Sequence, residues 1–159
     1  MEALTILRRC RGAEDDLERL RQRIRQRHEI LTAIGAPRPD PNGGGHGGGD
    51  PDKYGRIMAD IDLLERKLQS REEDYRAEAA AAVALMDMVP DLEGKVLYGY
   101  YAKRMSVPEI ARKEKYQPGY LRKVKKRAEE LLRMLSAEKV EELLPAWYIR
   151  KRKKEETEE

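Results

Sequence analysis

Two long apolar ladders, separated by a stretch that cannot pack, constrain this chain more than any other feature. Leu7, Cys10, Leu17, Leu20, Ile24, Leu31 and Ile34 recur at alternating spacings of three and four, with Glu14 and Arg27 as polar interruptions, and predict a helix over about 2–34. A second ladder runs through Tyr54, Ile57, Ile61, Leu64, Leu68, Tyr75, Ala82, Leu85 and Val89, with Arg71 and Glu78 as polar misses. Apolar a/d positions sustained over this length and flanked by charge indicate coiled-coil helices. Between them, positions 35–52 read GAPRPDPNGGGHGGGDPD and hold four of the eight prolines and seven of the twelve glycines. Such a stretch builds no core and is expected as the mobile tip of a hairpin. The expected first domain is therefore an antiparallel coiled-coil hairpin over 1–89. A second copy of the chain, pairing as a homodimer, would use the same stripes.

The composition agrees with an elongated all-α protein. Charged residues make up 40% of the 159, Phe is absent, and the mean hydropathy is −0.85, which is lean for a compact globule. The net charge of +3 is unevenly placed: positions 95–134 carry 12 basic and 4 acidic residues, a balance of +8 that leaves −5 elsewhere. A single cysteine, Cys10, forms no internal disulfide, and no signal peptide or membrane-length apolar run is read, so a cytoplasmic protein without membrane contact is expected. The one cysteine and two histidines, far apart in sequence, compose no nucleophile–base set, and an enzyme is not expected. His46 between glycine triplets lacks converging ligands, and the glycines lack a phosphate-loop signature, so neither metal nor cofactor is expected. His28, on a charged helix face, is expected to be solvated.

Pro90 breaks the second long helix, 91–94 forms a joint, and a further helix follows over about 95–103 with Val96, Leu97, Tyr100 and Tyr101. Tyr101 is expected in the core, with Tyr98 and Tyr100 at its edge and their hydroxyls in water. Ser106 can cap the next helix, with Glu109 completing a capping box ahead of Ile110 and Ala111. After a break at Lys115, Tyr116 and Gln117, another helix opens at Pro118, with Leu121, Val124, Ala128, Leu131 and Leu135 on one stripe. Positions 118–127 hold five basic residues and no acidic one. Two short helices joined by a tight turn, the second basic on its outer face, make a helix-turn-helix able to enter a DNA major groove. A helical hairpin with merely solvated charges would show the same basic face.

Leu97, Tyr101, Ser106, Glu109, Ile110, Ala111, Tyr116, Leu121 and Ala128 resemble, in order and spacing, the core and cap positions of region 4 of the sigma-70 family. The resemblance covers about a quarter of the chain and departs from the family at Lys115, where turns of this kind often place Gly or Asn, and at Pro118-Gly119. With the coiled-coil hairpin ahead of it, the chain looks like the small phage and prophage late-gene regulators of the ArpU and RinA type. No segment resembling sigma region 2 is read before it. The resemblance implies a trihelical domain over 90–135 that binds double-stranded DNA upstream of a promoter and helps recruit RNA polymerase. On that reading Tyr120, Arg122 and Lys123 contact base edges, Lys126, Arg127 and Arg112 contact phosphates, and Gly119 shares the same face. Residues 136–159 are expected as a short helix, 137–144, and a frayed, self-compensating tail, with Trp147 free to dock back. A small-terminase-like DNA-packaging adaptor and a coiled-coil interaction protein that does not bind DNA are the alternatives.

Overall fold

A computed structural model describes residues 1–35 and 51–159, the side chain of Pro51 aside. Among the described residues the protein is all-α. Helices α1 (Ala3–Ile34) and α2 (Pro51–Asp87) are followed by α3 (Asp91–Leu97), which runs into a π-helical turn, Tyr98–Ala102. Then come α4 (Val107–Glu114), α5 (Pro118–Arg133), α6 (Ala137–Glu141) and α7 (Ala146–Glu158). No described helix is long and apolar enough to cross a membrane. The Pro/Gly-rich stretch expected at 35–52, His46 included, lies outside the described residues except at its ends.

The helix boundaries follow from local chemistry. Gly35 ends α1 at φ +74, donating its N–H to the Leu31 carbonyl at 3.0 Å. Pro90, extended at φ −82 and ψ 170, starts α3 at Asp91, so 91–94 is helical and not the joint expected from the sequence. Close approach explains Gly94: a Cβ there would stand 2.2 Å from the Val89 carbonyl oxygen. Ser106 caps α4 by accepting the Glu109 N–H at 3.3 Å, and Ser136 caps α6 by accepting that of Lys139 at 3.3 Å.

Two compact units are present, one comprising Met1–Ala13 with Glu73–Glu159, the other Glu14–Glu72. In the second, Leu17, Leu20, Ile24, Ile57 and Ile61 are buried. Asp16 accepts from Arg71 at 2.6 Å, Glu72 lies 3.5 Å from Arg21, and Glu65 lies 3.8 Å from His28. His28 thus has an acidic neighbour, although both side chains are about half exposed.

The first unit has two apolar clusters. The larger joins Leu4, Ile6 and Leu7 of α1 and Ala81, Ala82 and Leu85 of α2 to Leu97, Tyr101, Ala128, Leu132, Val140, Leu144 and Tyr148. The smaller holds Val96, Ile110, Ala111, Leu121 and Val124. Leu97 and Tyr101 therefore pack in the larger cluster, and Val96 is the α3 residue clustered with the Ile110 and Leu121 stripes. Adjacent helix positions point about 100° apart, so neighbouring residues of α3 serve different cores.

Glu78, a polar miss in the second ladder, is fully buried. Its Oε1 accepts from Arg9 Nε at 2.7 Å, from Arg152 Nη2 at 3.2 Å and from the Tyr148 hydroxyl, while Oε2 has no donor among the described residues. Lys151 adds a bond to Asp74 at 2.8 Å. Through Tyr148, Lys151 and Arg152, α7 is held in place where a frayed tail was expected; Trp147 stays 41% exposed and Tyr148 is the aromatic residue that docks.

Candidate nucleic-acid interface

α4 and α5 meet through a turn whose geometry is set at Lys115. This residue takes φ 61 and ψ 46, the left-handed conformation for which Gly or Asn is the usual choice, and the Tyr116 N–H closes the turn on the Ala111 carbonyl at 2.9 Å. Gln117 is extended, and Pro118 opens α5 with its φ already suited to a first helical turn. Leu121, Val124, Ala128 and Leu132 are buried and fix the rotation of α5 about its axis.

That rotation decides what α5 shows to solvent. Counting about 100° per residue from Gly119, the buried stripe lies at about 140–220°, whereas Gly119, Tyr120, Arg122, Lys123, Lys126 and Arg127 span about 160° on the other side. All six are exposed, as is Arg112 on α4. The fifth basic residue of this stretch, Lys125, has a different place: it bonds Glu129 at 2.6 Å and stands 4.3 Å from the centre of the Tyr100 ring. Arg127 has one loose ion pair, 3.9 Å to Glu93, with its own side chain 56% exposed. A Cβ at Gly119 would meet nothing within 4 Å, so packing does not demand glycine there.

Behind this face lies a charge-assisted scaffold. Tyr101 donates its hydroxyl to Glu129 Oε1 at 2.7 Å. Burial, then the Glu129 hydrogen bond, pushes the Tyr101 hydroxyl well above its ordinary range. Burial also works to raise the Glu129 carboxyl, but bonds from Lys125 and Tyr101 outweigh it and hold Glu129 below the usual carboxylate value. From α1, Arg11 lies 3.8 Å from the Tyr100 ring centre and donates Nη1 to the Tyr100 and Met105 carbonyls. Tyr100 is half-buried at the edge of both clusters, the edge position expected for it, and has two cations close to its ring.

Tyr116, counted among the core positions from the sequence, is 45% exposed; its ring lies 5.6 Å from that of Tyr120, itself 46% exposed. The left-handed residue at Lys115 resets the helical phase, so spacing from α4 could not place Tyr116. Nothing local in the sequence distinguishes Arg11 from the other arginines of α1.

Comparison of the chain with protein-family models, with curated proteins and with solved structures gives no match.

Proposed function

We propose that the protein is a sequence-specific DNA-binding regulator in which α4 and α5 act as a helix-turn-helix and the first turns of α5 enter the major groove. One observation carries this reading: a single arc of α5 presents Tyr120, Arg122, Lys123, Lys126 and Arg127 to solvent, opposite a fully buried apolar stripe. Arginine and lysine near the start of such a helix can donate to guanine O6 and N7, and the Tyr120 ring can meet a thymine methyl group. Lys126 and Arg127, one turn later, and Arg112 on α4 are placed for phosphates. In this reading α1 and α2 form an antiparallel coiled-coil hairpin, supported by the pairs Asp16 with Arg71 and His28 with Glu65, whose numbers rise along α1 and fall along α2. The role is binding, with recruitment of RNA polymerase as its outcome, and not catalysis.

The direct test of DNA contact is affinity for a mixed-sequence duplex as a function of salt. The logarithm of the binding constant should fall linearly with the logarithm of salt concentration, by about 0.9 per phosphate neutralised. Replacing Arg122, Lys123 and Lys126 together by Ala should remove most of the binding. Unchanged affinity in that variant would mean that α5 is not the contact surface.

A further inference from the structure

Tyr101 and Tyr148 are buried in the first unit, as large aromatic side chains usually are, whereas Tyr116 and Tyr120 are exposed and lie against each other. Their ring centres are 5.6 Å apart and their planes 37° from parallel. The backbone holds both in place. Tyr116 follows the left-handed Lys115 with its N–H bonded to the Ala111 carbonyl, and Tyr120 is in the first turn of α5, behind Pro118. Among the described residues neither ring belongs to an apolar cluster and neither hydroxyl is hydrogen-bonded. The pair is thus a small apolar patch that the core does not use, and tyrosines in such patches are common anchors of binding surfaces. Positions 112–123 surround it with Arg112, Lys113, Lys115, Arg122 and Lys123, all exposed, against Glu114 as the one acidic residue.

We propose that Tyr116 and Tyr120 together grip the C5-methyl groups of two thymines in the major groove, which makes Tyr116 a specificity residue of this interface. The inference rests on α4 and α5 acting as a helix-turn-helix. The charge decides the occupant: five cations against one carboxylate suit a polyanion and not an ordinary protein surface. Among the groups that base edges present in the major groove, the thymine methyl is the apolar one. Successive base pairs are about 3.4 Å apart along the duplex. Rings 5.6 Å apart therefore span between one and two steps, and each can meet a methyl on neighbouring or next-but-one bases. Lys123, three residues beyond Tyr120, is its neighbour on the helix surface and reaches the same stretch of groove. Rings packed on each other before binding lose little rotamer freedom on contact, which favours affinity.

The test is selection by the full chain from two random duplex pools, one containing thymine and one copied with uracil in its place, which removes only the methyl. The thymine pool should yield a motif with two thymines at most two steps apart, and the uracil pool should lose the preference at those positions while keeping the rest. On defined duplexes, burial of one methyl is worth about fourfold in affinity, so uracil at both positions should weaken binding about 15-fold. Tyr116→Ala should reduce that penalty to about fourfold, and Tyr116→Phe should keep it whole. Equal affinity for both duplexes, or the full penalty in Tyr116→Ala, would overturn the pair while leaving the helix-turn-helix in place. No motif from either pool is a different failure, which removes the DNA reading and the pair with it. Tighter binding of the motif as a single strand than as a duplex would mean that the rings stack on bare bases, and would overturn the methyl contact.

Discussion

Glu78→Ala tests how the first unit is held together. The side chain is fully buried and its Oε1 serves Arg9, Arg152 and Tyr148, which come from α1 and α7. Removing one member of a buried ionic set costs about 3–5 kcal/mol when the remaining charges stay buried. Here Arg9 and Arg152 keep 33% and 26% exposure and can partly regain water, so the low end, about 3 kcal/mol, is expected. The Tyr148 hydroxyl retains a bond from Arg152 Nε at 3.1 Å, which limits the loss further. Urea unfolding followed by far-ultraviolet circular dichroism gives the difference, with the midpoint falling and the slope unchanged. A variant with Arg9→Met, Glu78→Leu, Tyr148→Phe and Arg152→Met should recover most of it, because apolar packing replaces a set that is costly to bury. A loss below about 1 kcal/mol in Glu78→Ala would mean that Glu78 does not hold α1 and α7 through a buried ionic set, since breaking a tight buried pair cannot be that mild.

Gly94→Ala should destabilise the protein by about 1–3 kcal/mol, the usual cost of overpacking, because its Cβ meets a backbone carbonyl that cannot rotate away; thermal melting at wild-type values would contradict this. Gly119→Ala should raise stability by about 0.4–1 kcal/mol, there being no obstruction at its Cβ, and lower duplex affinity if DNA approaches the start of α5 closely; a destabilised variant would show that the start of α5 is packed otherwise. Glu129 is more acidic in the folded protein than in the unfolded chain, so its contribution is present above the unfolded value of about 4.3 and lost as pH falls through the folded value. In Glu129→Gln the acid decline of stability below about pH 4 should be shallower than in the wild type, and parallel curves would remove Glu129 from that role. Burial and then the Glu78 charge raise the Cys10 thiol, so alkylation at pH 8 should be slower than for a free thiol until denaturant is added; equal rates would mean that Cys10 is open to solvent.

Much of the helical layout was legible because it rests on spacing. Every apolar member of the two ladders is buried or half-buried, and Ser106, Gly35 and Pro118 mark helix ends as their chemistry requires. Leu121, Val124 and Ala128 fixed which way α5 faces, so the exposure of Arg122, Lys123 and Lys126 followed from period alone. Contacts between segments distant in sequence were not legible. Glu78 read as an interruption because its partners, Arg9 and Arg152, lie 69 and 74 positions away, and periodicity carries no information at that range. The tail read as frayed because its charges alternate in blocks; Lys151 and Arg152 instead find carboxylates on α2. Tyr116 depends on a left-handed turn, a backbone event that residue type signals weakly.

Whether α5 reads DNA sequence is decided by selecting duplexes from a random pool with the purified full chain at about physiological salt, where nonspecific phosphate binding is weak. One short motif should be enriched, and Lys123→Ala should lose about 1–3 kcal/mol of affinity on that motif but little on random DNA. A pool that stays random, or equal losses on both duplexes, would contradict sequence reading by α5.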